Sequence, residues 1–253
     1  MLDQIVTDAK RRASEAAGQA EELRTLAGLA PAPRGFAAAL ARPGRSLIAE
    51  VKRRSPSRGP LAPGLNAAAQ AKRYEAAGAA AVSVLTDPDH FDGSLDDLIA
   101  VRAGIDLPVL RKDFLLDPAQ LWEARAAGAD AVLLIVAVLG AENLKAMLAA
   151  AATAGVDALV EVHDADEARI ARDAGAAVIG VNNRDLSTFE TDLGVAERLA
   201  PLVQSAVSVA ESGVSDRTGA TRMWDLGYDA ILVGEALVTS QEPEQLIETL
   251  VAP

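Results

Sequence analysis

Seven polar side chains stand at equivalent places along the chain, each at the end of a short apolar run. Glu50 and Lys52 follow Leu47-Ile48-Ala49, Lys112 follows Pro108-Val109-Leu110, and Glu161 follows Leu159-Val160; Asn182 and Arg184 follow Val178–Val181, and Glu211 follows Val207–Ala210. Side chains on a strand alternate between faces with a period of two. Ile48, Glu50 and Lys52 therefore share a face, as do Leu110 with Lys112, Leu159 with Glu161, Val178 with Gly180 and Asn182, and Val207 with Val209 and Glu211. Each face is apolar at its start and polar at its end. One such residue is readily explained as a buried salt bridge. Several at one rim would be a costly way to build a core, because buried charge is unfavourable unless paired or used, so their convergence points to a site.

The residue types define its chemistry. Lys52, Lys112 and Arg184 suit a carboxylate, a phosphate or a polarised carbonyl oxygen. Glu50, Glu161 and Glu211 suit proton transfer or stabilisation of a developing cation. A lysine beside another cation, or in a drier pocket, titrates lower than usual, which would bring a rim lysine towards the general-acid range.

The elements that must position these residues are legible as a repeat. Ala77–Val82, Ala127–Val132, Ala154–Leu159, Ala174–Ile179 and Leu226–Ile231 share one form, an alanine or leucine and a glycine leading into an apolar run. Each reads as a helix ending on a glycine, a tight turn and a buried parallel strand. The glycines Gly78, Gly128, Gly155, Gly175 and Gly227 leave gaps of 50, 27, 20 and 52 residues, and each long gap hides one more unit, at Leu107–Lys112 and Ala206–Glu211. With the opening run at 46–52 these make eight βα units, the signature of a single (β/α)8 TIM barrel domain over 1–253. A doubly wound open sheet is the alternative, but the first turn, Arg53–Gly59, lacks its Gly-x-Gly-x-x-Gly loop. Residues 3 to about 29 read as a helix, and Pro31, Pro33 and Gly35 separate it from Phe36–Leu40. Residues 1 to about 45 are thus an N-terminal helical extension, expected to pack as a lid over one end of the core.

Active sites of such barrels gather at the C-terminal strand ends, and phosphate is favoured in the loops after strands seven and eight. Those loops read Glu211-Ser212-Gly213-Val214-Ser215 and Val233-Gly234-Glu235-Ala236, where Gly213 and Gly234 allow close backbone approach to a phosphate or simply make tight turns. His90–Ser94 has ordinary turn composition, with Phe91 a candidate wall for a ring; Phe114 is a second wall, and Asp113 a candidate partner behind it. His90 and His163 show no metal-ligand spacing; His163, two residues past Glu161, reads as a loop residue, with a place on the rim as the alternative. Trp122 and Trp224 read as outer packing.

Composition sets further bounds. Half of the 253 residues are apolar and only 3% aromatic, so the core is built from Ala, Val, Leu and Ile. A net charge of -12 argues against a nucleic-acid or anionic-membrane surface, so an anionic ligand needs a local basic cluster. Cysteine is absent, which excludes disulfides and thiolate chemistry and agrees with a reducing cytosol. No cationic leader precedes an apolar run, and no apolar stretch is expected to span a membrane. A cytoplasmic monomer is the expectation.

The segments Ile48-Ala49-Glu50-Val51-Lys52-Arg53-Arg54-Ser55-Pro56-Ser57, Pro108–Phe114, Leu159–His163, Ile179–Leu186, Ala210–Val214 and Leu232–Leu237 together closely resemble the indole-3-glycerol-phosphate synthase family, the ring-closing enzymes of tryptophan biosynthesis. Ser83–Asp87 with Phe91–Ser94 also fits, and the resemblance runs the length of the barrel. It implies a small substrate bearing an anthranilate carboxylate, a ribulose-like chain and a phosphate, closed to an indole with loss of CO2 and water and without metal or organic cofactor. It implies that Lys112 protonates the carbonyl, that Glu161 is the acid/base of dehydration, that Glu50 orders the site and stabilises the cationic intermediate, and that Lys52 binds the carboxylate and shares in proton transfer. It makes Asn182, Arg184, Glu211 and Ser212 substrate contacts and places Ser55, Gly213 and Gly234 near the phosphate. One departure is Glu235, where some members carry serine; its side chain is expected to point away. The segment Arg53–Pro60 reads as a mobile cationic flap. Other readings of the same residues are a different phosphate-binding barrel enzyme of amino-acid biosynthesis and a catalytically silent barrel that binds phosphorylated metabolites.

Overall fold

The five repeat glycines end their helices in left-handed backbone, with φ between +75° and +91°, and a strand begins two or three residues after each. This conformation strains residues that carry a Cβ and suits glycine. The structure, a computed structural model, describes residues 2–252. Eight strands, numbered in chain order, line the barrel: β1 (Ser46–Val51), β2 (Ala81–Leu85), β3 (Val109–Lys112), β4 (Ala131–Ile135), β5 (Asp157–Val162), β6 (Val178–Asn182), β7 (Val207–Glu211) and β8 (Ala230–Val233). They pair in parallel in sequence order, and β1 closes the ring on β8 through Ser46↔Ala230 to Ala49↔Val233. The expected (β/α)8 barrel is present, with helices outside.

The period of two divides the apolar residues into two layers. Leu47, Ala49 and Val51 of β1 face outwards into a core shared with the surrounding helices, together with Val82, Val84, Val132 and Leu134. Ile48 faces inwards with Leu110, Leu133, Leu159, Val178, Val209 and Leu232. All of these are almost wholly buried. The interior is therefore filled below its upper rim, and polar side chains can enter only at the strand ends.

The N-terminal extension differs from the single lid that its pattern suggested. The expected helix is broken at Gly18-Gln19 into α1 (Leu2–Ala17) and α2 (Ala20–Leu29), and α3 (Phe36–Leu40) follows. Leu2 and Ile5 of α1 line the cavity at the C-terminal mouth. The opposite end is sealed by the segment leading into α3. There the backbone N–H of Arg34 donates to Asp130 Oδ1 at 2.8 Å and that of Ala37 to Asp157 Oδ2 at 2.8 Å, while Phe36 and Leu40 join the inner core. One extension thus serves both ends of the barrel. A further difference concerns the outer helix Val136–Ala154, which is long and apolar enough, by length and composition, to match a membrane span. It is interrupted by non-helical backbone at Gly140, carries Glu142 and Lys145, and packs on β4, β5 and neighbouring helices.

Arg12 fixes α1 to the barrel. Its Nη2 lies 2.7 Å from Asp87 Oδ2 and 3.2 Å from Asp113 Oδ1, and its Nη1 lies 3.2 Å from Asp89 Oδ2. Asp113 also accepts from Thr86 Oγ1 at 2.8 Å and from Arg111 Nη2 at 3.3 Å. Asp87 and Asp113 are buried, so removing the guanidinium leaves two desolvated carboxylates with fewer counter-charges. Arg12→Ala is expected to cost about 3 kcal/mol of stability, measured by urea unfolding, with Arg12→Lys recovering part of the loss.

Candidate active site

The rim is built from alternate residues at the C-terminal ends of five strands: Glu50 on β1, Lys112 on β3, Glu161 on β5, Asn182 on β6 and Glu211 on β7. Lys112 is their centre. Its Nζ lies 3.7 Å from Glu161 Oε2, 3.7 Å from Glu211 Oε2 and 3.9 Å from Glu50 Oε2. Glu50 Oε1 is held 2.7 Å from Lys52 Nζ. Glycine makes room for two of the carboxylates. A Cβ on Gly180 would fall 2.0 Å from Glu211 Oε1, and one on Gly234 would fall 2.3 Å from Glu50 Oε1.

This geometry sets the charge of each group. Burial disfavours the Lys112 ammonium, but the surrounding Glu161, Glu211 and Glu50 outweigh it and raise its affinity for its proton. The expectation that a rim lysine titrates low is therefore corrected for Lys112: the acids around it, not the dryness of the pocket, decide. Burial also opposes the charge of Glu50 and Glu161; Lys52 and Lys112 win at Glu50, and Lys112 and His163 win at Glu161, so both carboxyls sit below their usual range. Glu211 goes the other way. Burial and the nearby charge of Glu161 push it up to about 8, against the pull of Lys112. Both Glu211 oxygens and Glu161 Oε2 are buried and without a hydrogen-bond partner. Unsatisfied buried polar atoms are rare, and here they face a cavity.

That cavity, about 730 Å3, brings together every candidate residue read from the sequence: Glu50, Lys52, Ser55, Phe91, Lys112, Phe114, Glu161, Asn182, Arg184, Glu211, Ser212, Gly213 and Gly234. The acid/base cluster occupies the floor. Phe91, Phe114, Leu133 and Ile135 add an apolar wall suited to a planar ring. Ser55, Gly213 and Gly234 lie along its border, and Ser212 and Gly213 turn the chain after β7 with φ of +64° and +87°. Such backbone is tolerated at a non-glycine residue only where the surroundings hold it, and it gathers at ligand sites. Among the described residues no group of three His, Asp or Glu side chains is arranged to hold a metal ion.

The loop after β1 is more tightly held than a free flap. Arg54–Ser55 pairs antiparallel with Gly59–Pro60, Arg53 reaches both oxygens of Asp97 at 2.6 and 2.7 Å, and Arg184 Nη1 meets Ser57 Oγ at 3.3 Å. Arg58 Nε pairs with Glu235 Oε1 at 2.9 Å. Glu235 therefore lines the cavity and neutralises a flap arginine, rather than pointing away as expected. His163 is also drawn into the site, against Glu161, although its place just beyond a strand was the only hint in the sequence. The lining residues Leu2, Ile5, Leu186 and Phe189 come from outside the strand ends, so strand periodicity does not signal them.

A model of the indole-3-glycerol phosphate synthase family matches residues 2–250. The chain is similar to indole-3-glycerol phosphate synthases of Parafrankia sp. (53% identical over 222 residues, covering 87% of this chain and 83% of that one) and of Mycolicibacterium smegmatis (48%, covering 99% and 93%). It is likewise similar to indole-3-glycerol phosphate synthase 1 of Streptomyces coelicolor (48%, covering 100% and 95%). Among solved structures, the fold resembles 3-hexulose-6-phosphate synthase from Salmonella typhimurium, with a TM-score of 0.67 at 16% identity over 81% of this chain and 96% of that one. It also resembles thiamine phosphate pyrophosphorylase from Pyrococcus furiosus, with a TM-score of 0.61 at 19% identity over 86% and 95%. These two likenesses speak to the barrel alone.

The raised Glu211 has a measurable consequence. The folded chain holds this proton while the unfolded chain releases it near the ordinary value of 4.5, so folding loses free energy as the pH rises from there to about 8, and no further beyond. Glu211→Gln is neutral throughout. Urea unfolding is expected to show little difference between variant and parent at pH 4 and a gain on the order of 3–5 kcal/mol for the variant at pH 8.5. A difference that does not grow with pH would contradict the assignment.

Proposed function

The chain belongs to the indole-3-glycerol phosphate synthase family, and we propose that it performs the family reaction through the charged floor around Lys112. The enzyme converts 1-(2-carboxyphenylamino)-1-deoxyribulose 5-phosphate to indole-3-glycerol phosphate with loss of CO2 and water, a step of tryptophan biosynthesis. The observation that supports the assignment of roles is the position of one ammonium within 4 Å of three buried carboxyl groups, in a cavity with an apolar wall and cations among its lining.

In this reading the substrate ring lies against Phe91 and Phe114, with its carboxylate on Lys52 and its phosphate near Ser55, Gly213 and Gly234. Asn182, Arg184 and Ser212 contact the chain between. Ring closure joins the aryl carbon that bears the carboxylate to the ketone carbon. Lys112 donates a proton to the carbonyl oxygen as this bond forms, which spares the site a buried alkoxide. Its carboxylate neighbours keep the proton in place until then. The positive charge left on the ring and nitrogen is met by Glu50 and by the polar atoms of Glu211, and loss of CO2 restores the aromatic ring. Dehydration follows: Glu161 serves as acid/base while the new hydroxyl leaves as water and the adjacent carbon gives up a proton. Cleavage of a carbon–carbon bond with release of CO2 makes this a carboxy-lyase. Completeness of the cavity within one chain, and a net charge of -12, support a monomer acting in the cytoplasm on a small phosphorylated substrate, without nucleic acid or membrane.

The test is incubation with the carboxyphenylamino-deoxyribulose phosphate while following indole absorbance. Turnover is expected from the parent. Lys112→Ala should lose about 10³-fold in kcat and Glu161→Gln about 10²-fold, the range for a positioned acid or base, with folding checked by circular dichroism. Lys112→Arg keeps the charge but not a readily donated proton, and should remain at least about 10²-fold impaired. Near-normal turnover in either Lys112 variant would overturn its role; absence of turnover by the parent, with binding intact, would leave only the silent-barrel reading.

A further inference from the structure

His163 and Glu167 lie outside the cavity lining, yet they complete the surroundings of Glu161. His163 Nε2 is 3.4 Å from Glu161 Oε1. On its other side, Nδ1 is 3.1 Å from Glu167 Oε2, an oxygen that also accepts the backbone N–H of His163 at 2.8 Å. Glu167 is itself placed by the first turn of the helix Ala165–Asp173, whose N-cap Asp164 accepts from the backbone N–H groups of Asp166 and Glu167. The exposure of the side chains rises outwards, from 2% at Glu161 to 15% at His163 and 16% at Glu167. An imidazole with a carboxylate facing each nitrogen is stabilised in its protonated form.

The two oxygens of Glu161 are therefore unlike. Oε1 faces His163 Nε2 at an ion-pairing 3.4 Å without a hydrogen bond between them, whereas Oε2 faces Lys112 at 3.7 Å and has no hydrogen-bond partner. We propose that His163, braced by Glu167, is a positioning residue for Glu161, engaging Oε1 so that Oε2 is the oxygen that exchanges protons with the substrate, and holding the carboxylate ionised between turnovers. The proposal rests on the acid/base role given to Glu161 above. A histidine oriented by a second carboxylate is a familiar way to fix the direction and charge of a catalytic group. Burial alone would make His163 neutral, but Glu161 and Glu167 reverse this and push it up to about 10. The other groups facing Glu161 are Lys112 on β3, Asn182 on β6, Glu211 on β7 and Glu50 on β1. Of these Lys112 is the sole cation. Removal of His163 therefore leaves Glu161 with Lys112 as its one cation, which it shares with Glu211 and Glu50.

The test compares kcat and KM from pH 3 to 9 for His163→Asn, His163→Gln, Glu167→Gln and Glu161→Gln. His163→Asn shortens the reach to Glu161 and removes the charge. It should lose about tenfold in kcat with KM within about twofold, and move the acidic limb of kcat up by about one pH unit, the shift expected when an adjacent opposite charge is lost. His163→Gln keeps a donor near the position of Nε2, so it should recover much of kcat at pH 8 but not the acidic limb. Glu167→Gln preserves an acceptor for the backbone N–H and should shift the limb the same way by less. His163→Asn with Glu167→Gln should be no worse than His163→Asn alone, since both act through one path. If Glu161→Gln is crippled while His163→Asn and Glu167→Gln keep the parent profile, the positioning role is overturned and the role of Glu161 stands. If Glu161→Gln is itself near normal, the underlying reading fails instead.

Discussion

The Lys112 ammonium and the carboxylates around it are the constraint to which the rest of the barrel is fitted. Three acids on three strands cannot stand this close in a buried site unless something offsets their repulsion. Lys112 lies within 4 Å of each of them, and Lys52 and His163 add charge at Glu50 and Glu161. What positive charge does not cover, protonation does: Glu211 keeps its proton well above the ordinary carboxylate range. The floor therefore holds an acid of each kind, an ammonium and a carboxylic acid, beside two carboxylates able to accept protons. Glycine at 180 and at 234 is part of the same arrangement, since any larger side chain would enter the space of Glu211 or Glu50.

Behind this floor a second charged layer holds the frame. Asp113, next to Lys112 in the chain, takes Thr86, Arg111 and Arg12 as partners, and Arg111 reaches on to Glu123 at 2.7 Å. The strand end that carries Lys112 is thereby tied to strand β2, to an outer helix and to α1. This network adds to the apolar layers in holding the strand end in place. Positioning a proton donor to within a fraction of an ångström requires such support.

Much of this could be read from residues alone, for a definite reason. Alternation along a strand is strict, so an apolar start and a charged end, as in Leu159 and Glu161, assign the charged residue to the inner rim wherever the strand is parallel and the barrel closed. Glycines at 78, 128, 155, 175 and 227 marked the strands because left-handed backbone leaves few other choices. The titration of Lys112 was not legible, since it depends on the sum over three strands, and distances between them do not follow from any one. Likewise Glu235 was expected to turn away, and its partner Arg58 lies 177 positions earlier in the chain. The extension was legible as helical, but its attachment at the closed end of the barrel depends on Asp130 and Asp157, acids that within their own repeats look like ordinary turn residues.

The double attachment of the extension has a consequence for how the chain reaches its native state. Its contacts are remote in sequence: Ala37 bonds to Asp157, 120 positions later, and Arg12 to Asp113, 101 positions later. Contacts of such separation raise the contact order and slow folding. During synthesis at about 5–20 residues per second, Ala37 waits about 6–24 s for its partner to be made. In that interval Phe36 and Leu40, which end in the inner core, have no barrel to enter. Nascent chains of this protein therefore carry an apolar segment in need of temporary shelter, one whose place in the core exists only after the strands that follow it have been made.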